Sequence, residues 1–139
     1  MRSFRTLGVA ACLPLLLPAC TPVPSDSSSP YGVDWRLIEL NGQPAPRGAG
    51  GKPGTLTLVE GEGRASGFAG CNRFSGTVTA SSGRIQFGPL MMTKMACTEG
   101  MDLEAHYPTT LNRSNSFRVT ETGLELLSDS EVVARFTRP

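Results

Sequence analysis

Cys71, Cys97 and His106 are the residues of this chain whose types allow nucleophilic or metal chemistry. A cysteine nucleophile needs a histidine within hydrogen-bonding reach and a third group that orients that histidine. No known catalytic signature surrounds either cysteine, and the single histidine falls on a predicted helix beside Glu104 and Tyr107, facing solvent or half-buried. Zinc is disfavoured because the set has no C-x-x-C pair and no second histidine. The sequence therefore predicts no catalytic residue, no metal site and no cofactor.

The first twenty residues predict export and lipid attachment. Arg2 and Arg5 precede an apolar run over residues 7–17, and this order is typical of a secretory signal. The run is too short for a membrane-spanning helix, which needs about 20 apolar residues. It ends in Leu17-Pro18-Ala19-Cys20, which resembles the lipobox of a bacterial lipoprotein signal. Cys20 is therefore the predicted acylated first residue of the mature chain.

Two alternatives to this lipobox stay open. Val9-Ala10-Ala11-Cys12 is a competing site, and an ordinary cleaved signal would leave a free cysteine near the new terminus. Thr21, rather than Asp, follows Cys20, which by analogy with enteric bacteria permits sorting to the outer membrane. We expect a lipid-anchored protein of the bacterial cell envelope that faces the periplasm from the outer membrane. The membrane is then its first partner, held through several acyl chains.

The composition divides the chain into three parts. Residues 1–19 are the predicted signal peptide, residues 20–33 a Pro- and Ser-rich tether that lacks the apolar surface to fold, and residues 34–139 one small domain. The chain carries 13 Lys and Arg against 12 Asp and Glu. Because no basic stripe with interleaved aromatic residues is present, nothing supports nucleic-acid binding.

A structural disulfide is the favoured role for Cys71 and Cys97. Two cysteines of one small domain often pair in an oxidising compartment. Closing the loop of about 25 residues between them would add roughly 3 kcal/mol in the chain-entropy model. Two reduced, buried cysteines and a functional thiol are the alternatives.

Short apolar bursts separated by glycine-containing turns predict mainly antiparallel strands. Their expected positions are 35–40, 55–59, 64–68, 74–79, 84–87, 116–120, 123–127 and 132–136, and Leu56 and Leu58 are expected to face the core. One helix candidate interrupts this series. The expected fold is α+β: a single small domain with a curved, partly open, barrel-like antiparallel sheet and one helix packed over the open side.

The helix is predicted to begin near Thr98, which can act as its N-cap. Its expected inner face is marked by helical spacing and comprises Met101, Glu104, Tyr107 and Leu111, with Ala105 beside them. Pro108 removes one backbone hydrogen bond from a helix interior. The helix is therefore expected to end near Tyr107, or to continue with a kink to Leu111.

Asn72 and the glycines around it have an expected structural role. Asn72 is suited to a left-handed turn whose backbone its side chain can hydrogen-bond, and a ligand contact is the alternative. Gly70 and Gly76 are expected to serve tight backbone geometry. A methionine cluster around Cys97 is expected to fill the core, with a flexible partner-binding surface as the alternative; its members are Met91, Met92, Met95 and Met101.

The chain resembles a known family in the order and spacing of its motifs. These are Trp35-Arg36-Leu37, Gly70-Cys71-Asn72-Arg73-Phe74-Ser75-Gly76, Thr93-Lys94-Met95-Ala96-Cys97, then Glu104, and Leu124-Glu125-Leu126 near the end. With them, residues 34–139 resemble the META domain of HslJ-like heat-shock lipoproteins. The resemblance gives structural motif roles to Trp35, Gly70, Asn72, Gly76, Thr93, Met95 and Glu104. The chain departs from the family at Pro108 and in the loop at residues 43–54.

The resemblance implies a cell-envelope protein associated with heat shock and novobiocin tolerance, and it brings no catalytic mechanism. We therefore expect a non-enzymatic binding or support role in envelope stress or drug tolerance, with an unidentified envelope protein or ligand as partner. The alternative is a small tethered inhibitor of an envelope or secreted hydrolase, in which the loop at residues 43–54 would insert into a cleft.

Overall fold

The computed structural model describes residues 29–139, which form a β-barrel and one α-helix. The elements in chain order are β1 (Asp34–Leu40), β2 (Gln43–Pro44), β3 (Thr55–Val59), β4 (Arg64–Phe68), β5 (Arg73–Ser81), β6 (Arg84–Phe87), β7 (Met91–Met92), α1 (Met101–Arg113), β8 (Ser116–Val119), β9 (Gly123–Ser128) and β10 (Glu131–Thr137). The predicted signal, Cys12, Cys20 and most of the predicted tether lie outside the described residues.

Within residues 29–139, eight strands close into an antiparallel barrel in the order β1-β3-β4-β5-β6-β8-β9-β10. The first and last strands complete the ring, with Leu37 opposite Phe136 and Leu40 opposite Ala134. A single small domain with an antiparallel sheet and one helix is therefore confirmed. The expected partly open sheet is wrong, because β1 and β10, distant in sequence, pair and close the barrel.

Strand β1 carries an irregularity that explains its mixed apolar pattern. Its register against β10 shifts between Leu37 and Glu39. Such a shift reverses the faces on which the following side chains lie. Trp35, Leu37 and Leu40 are therefore all buried, whereas Ile38 is 52% exposed.

No helix among the described residues has the length and apolar character needed to cross a membrane.

Helix α1 closes the end of the barrel at which β3 and β5 begin. Its Tyr107 is fully buried, and the hydroxyl donates a hydrogen bond to the carbonyl oxygen of Thr55 at 3.0 Å. The Tyr107 ring contacts Phe74 edge-on, with centroids 5.8 Å apart, and lies 6.2 Å from the ring of Phe136. The helix is thus part of the core, and we call this end of the barrel the helix end.

The bounds of α1 differ from the expectation at both ends. The helix begins at Met101, and its N-cap is Gly100 with φ 85° rather than Thr98. It continues through Pro108 to Arg113. Burial of Tyr107 and other α1 side chains in the core offsets the hydrogen bond that proline removes.

The buried face of α1 was predicted only in part. Tyr107 and Leu111 are fully buried as expected, but Met101 is 48% exposed and Ala105 also faces solvent. Leu103 and Thr110 occupy the inner face instead. The inner face therefore runs through residues 103, 107, 110 and 111, a normal amphipathic spacing.

The opposite end of the barrel is covered by the residues that precede β1, and we call it the N-terminal end. Pro30 is buried, and its carbonyl oxygen accepts a hydrogen bond from the Trp35 indole at 2.8 Å. The Tyr31 hydroxyl bonds both the N–H and the carbonyl of Ala80 at 3.0 Å. Among the described residues, Pro30 is the first that is buried, four residues before the predicted domain start.

Candidate functional site

Most of the predicted motif residues meet at the helix end of the barrel, around the side chain of Asn72, whereas Trp35 bonds to Pro30 at the N-terminal end. Asn72 is 3% exposed and lies in the loop between β4 and β5. Its Oδ1 accepts from the Thr93 hydroxyl at 2.9 Å and from the Met95 N–H at 2.6 Å. Its Nδ2 donates to the Met95 carbonyl at 3.2 Å and to Glu104 Oε1 at 2.8 Å. We call these four residues the Asn72 node.

Every hydrogen-bonding position of the Asn72 carboxamide is used, because its oxygen accepts two bonds and its amide group donates two. The side chain was expected to hydrogen-bond the backbone of its own turn, but it bonds instead to Thr93 and Met95 of another segment and to Glu104 of α1. The predicted left-handed backbone at Asn72 is wrong. Within that turn the positive φ falls on Gly70, at 126°, a conformation open to glycine.

Glu104 anchors the same loop from the first turn of α1. Its Oε2 accepts the backbone N–H groups of Cys71 at 3.1 Å and Asn72 at 2.6 Å. Burial raises the pKa of Glu104, but the hydrogen bonds from the side chain and backbone of Asn72 and from Cys71 outweigh it and lower the pKa below its ordinary value. Glu104 is therefore a carboxylate at neutral pH, acting as an acceptor within the fold.

Cys71 and Cys97 are joined as a disulfide, with Cα atoms 5.9 Å apart. This separation is normal for such a bond, and Cys71 is 2% exposed. The His106 side chain is 63% exposed, with its Nε2 3.9 Å from Asp102. Among the described residues, no cluster of three or more His, Cys, Asp or Glu is arranged to hold a metal ion.

Three stretches of backbone meet at Gly70. The Gly70 carbonyl accepts the N–H of Ala49 at 2.6 Å, which attaches the loop at residues 43–54 to the β4–β5 turn. A Cβ at Gly70 would collide with the carbonyl oxygen of Gly100, at the start of α1. The loop, the β4–β5 turn and the helix N-terminus therefore approach each other more closely than a side chain at Gly70 allows.

The segment at residues 89–93, which follows β6, is held against β5 by two sets of contacts. The Thr93 N–H donates to the Arg73 carbonyl at 3.0 Å, and the Arg73 N–H donates to the Thr93 hydroxyl at 3.1 Å. A Cβ at Gly76 would lie 2.7 Å from the carbonyl oxygen of Pro89. Gly76 thus permits the close approach expected of it.

The methionines of this segment are mostly outside the core. Met91 is 72% exposed, Met95 60% and Met101 48%, whereas Met92 is partly buried against the core. Core filling is therefore wrong for three of the four. Among the described residues, Ile38 is the one other large hydrophobic side chain with comparable exposure. We call Met91, Met95 and Met101 the exposed methionines.

An ion-pair ladder crosses four strands on the outside of the barrel, and the sequence reasoning missed it. Arg118 Nε on β8 and Arg135 Nε on β10 donate to opposite oxygens of Glu125 on β9, at 2.9 and 3.0 Å. Arg135 also pairs with Glu39 on β1. Burial raises the pKa of Glu125, but the two arginines outweigh it and lower the pKa. Opposite charges at facing positions were the available signal, but reading them requires the strand register.

A second feature lies at the N-terminal end, remote from the node. A cavity of about 610 Å³ opens there, within the size range of small-molecule sites. The residues that line it include Tyr31, Phe117 and Val119 together with the charged Glu60 and Arg118. None of the predicted motif residues lines it.

The fold and the node define a small disulfide-linked β-barrel domain in which the motif side chains bond mainly to one another. The chain belongs to the META domain family, whose family model matches residues 30–139. That match begins at Pro30, the first buried residue among those described.

Two solved structures are similar to this chain. One is the NMR structure of a protein from Burkholderia xenovorans, 30% identical, with a TM-score of 0.64, covering 79% of this chain and 83% of that chain. The other is an NMR structure 24% identical, with a TM-score of 0.58, covering 76% of this chain and 87% of that chain. At that identity it supports the fold alone. No curated protein matches the chain significantly.

Proposed function

We propose that this META-domain protein is a lipid-anchored, non-enzymatic protein of the bacterial cell envelope, with a binding or support role in envelope stress or drug tolerance. The observation that carries the binding role is the display of Met95. Its backbone N–H and carbonyl are both held by Asn72, while its residue surface is 60% exposed.

A held backbone with a free side chain suits a contact residue. The ordering cost of binding is smaller where the backbone is already fixed. A methionine side chain adapts to apolar surfaces of different shape. Met91 and Met101 add exposed thioethers on either side of Met95 along the chain. The partner we propose is an envelope protein or ligand with an apolar surface.

The bonding within the node supports a role without catalysis. All four hydrogen-bonding positions of the Asn72 side chain are used internally. Glu104 is held as a carboxylate by three internal donors. The sulfurs of Cys71 and Cys97 bond each other. The groups that would have to attack, protonate or orient a substrate are thus engaged in holding the loop.

The lipobox-like sequence that ends at Cys20 supports lipid attachment. The signal-like N-terminal sequence and the disulfide both support export. Structural disulfides persist in oxidising compartments such as the bacterial periplasm. Intact mass of the protein extracted from membranes, before and after reduction, tests both points. We expect acyl chains on a mature chain that begins at Cys20, and a mass gain of two hydrogens on reduction. An unmodified N-terminus, or no change on reduction, would contradict the respective point.

A complementation assay tests the binding role. In a gene-deletion strain with impaired tolerance of heat, envelope stress or novobiocin, a variant with Met91, Met95 and Met101 each changed to Ser should fail to restore tolerance. The matched control is Ile38→Ser, which removes an exposed apolar side chain elsewhere on the barrel and should restore it. Unchanged tolerance in the deletion strain, or full rescue by the triple variant at equal protein level, would refute the proposal.

A further inference from the structure

We infer that the exposed methionines form an oxidative modification site, at which peroxide or hypochlorous acid converts their thioethers to sulfoxides while the barrel stays folded. The distribution of methionine is the first observation. The chain has five methionines, and the four within the described residues all fall between positions 91 and 101. Three of those four are among the most exposed large hydrophobic side chains of the described domain.

The thioethers of the exposed methionines are the sulfur atoms of the described domain that are open to an oxidant. The two cysteines of residues 29–139, Cys71 and Cys97, already bond each other, so neither offers a thiolate to the oxidant. Oxidation of a methionine thioether to the sulfoxide removes two electrons from the sulfur. With peroxide, the O–O bond breaks, one oxygen forms the S–O bond, and the other leaves as water. With hypochlorous acid, oxygen is transferred in the same way, and chloride and a proton leave.

The structure places a more exposed and a less exposed methionine side by side in one short strand. Met91 and Met92 are neighbours on β7, opposite Ser75 and Phe74 of β5. Met91 points to solvent at 72% exposure, whereas Met92 packs against the core with the buried Phe74 on the facing strand. A sulfoxide at Met91 keeps its polar oxygen in water. Met92 is half-buried, so an oxidant has less access to its sulfur than to that of Met91.

The backbone at Met95 does not depend on its thioether. Asn72 holds the N–H and the carbonyl of Met95 at 2.6 and 3.2 Å, and these bonds remain when the side chain gains an oxygen. Oxidation therefore changes the surface from apolar to polar while the fold is kept. Resting on the proposed function, this would weaken binding of an apolar partner. A methionine sulfoxide reductase reverses the change as two thiols become a disulfide and the oxygen leaves as water.

Stepwise oxidation of the purified full-length protein with hydrogen peroxide, followed by peptide mass mapping, tests the inference. We expect Met91, Met95 and Met101 to gain one oxygen each, several-fold faster than Met92. In concentrated guanidinium chloride all four rates should become similar. The circular-dichroism melting transition should persist once the three exposed sulfurs are oxidised. The Met92→Leu variant should show the same pattern at the other three positions.

Equal rates for Met91 and Met92 in the folded protein would overturn the inference. Loss of the melting transition on oxidation of the exposed methionines alone, in either the native chain or Met92→Leu, would also overturn it. Neither readout involves a partner. Failure of the complementation assay would therefore leave the modification site standing, and failure here would leave the binding role to its own test.

Discussion

The side-chain amide of Asn72 bonds both backbone polar groups of Met95, its Nδ2 donating to the carbonyl and its Oδ1 accepting the N–H. One buried side chain thereby takes the place of a strand partner for a loop residue. The same carboxamide contacts Thr93 and Glu104. Asn72, Thr93 and Glu104 thus fix the position of the segment at residues 93–97 relative to the barrel.

Asn72→Ala should lower the free energy of unfolding by about 1–3 kcal/mol, the usual cost of leaving buried hydrogen-bonding groups without partners. Urea unfolding followed by circular dichroism measures it. Asn112→Ala is the matched control, since Asn112 is exposed at the end of α1 and its replacement should change little. Equal stability of the two variants would show that the node does not hold the fold.

Glu104 should contribute acid-dependent stability. Its pKa is lowered by folding from an ordinary value of 4.5, so its contribution is complete above that value and is lost as pH falls through the folded-state pKa. The stability difference between the native chain and Glu104→Gln should therefore be constant above about pH 5.5 and shrink as pH falls below about 4.5. Urea titrations at a series of pH values measure this difference. Glu121→Gln, at an exposed turn, is the control variant. A stability difference for Glu104→Gln that stays the same at every pH would contradict the prediction.

Cys71 and Cys97 should contribute to the free energy of unfolding only as a bonded pair. Cys71→Ser, Cys97→Ser and the double variant should each lose about 3 kcal/mol, because each reopens the same loop in the unfolded chain. Thermal melting without reductant measures the loss, and reductant should bring the native chain to a similar melting temperature. Markedly additive effects of the two single changes would argue against a shared bond. Loss of biological function with melting temperature intact would instead indicate a functional thiol.

The outer ladder should stabilise the closure between β10 and its neighbours, weakly and in a salt-dependent way. Glu125→Gln removes the acceptor shared by Arg118 and Arg135 and should cost about 1 kcal/mol at low salt, since partly exposed ion pairs contribute little individually. Added salt should reduce this loss by screening. Urea unfolding at low and high salt measures both effects. Glu121→Gln again serves as control, and a loss that is independent of salt would exclude the electrostatic explanation.

The strand positions were largely predictable because each strand has a local apolar pattern and a turn signal. Leu56 and Leu58 alternate clearly and are fully buried as predicted. The closure of the barrel was not predictable, because the pairing of Leu37 with Phe136 joins strands at opposite ends of the domain. The helix start was misplaced because Thr98 is a good N-cap by type, whereas the close approach of Gly70 and Gly100 sets the actual start.

The residues of the Asn72 node could be predicted from the sequence, but the hydrogen bonds between them could not. Motif resemblance marked Asn72, Thr93, Met95 and Glu104, but no local pattern shows that Glu104 reaches back to a loop 32 residues earlier. The exposure of the methionines was also hidden from the sequence. An apolar residue is placed in the core by default, whereas Met95 is 60% exposed in the fold.

The N-terminal end and the helix end of the barrel lie at different distances from the proposed membrane anchor. The described chain starts with Ser29 and Pro30 at the N-terminal end, and the exposed methionines lie at the helix end. With Cys20 acylated as proposed, the nine Cα–Cα steps from Cys20 to Ser29 span at most about 32 Å when extended. A short tether would then keep the N-terminal end of the barrel close to the bilayer. The barrel itself would serve as a spacer, carrying the methionines towards partners located away from the anchoring membrane.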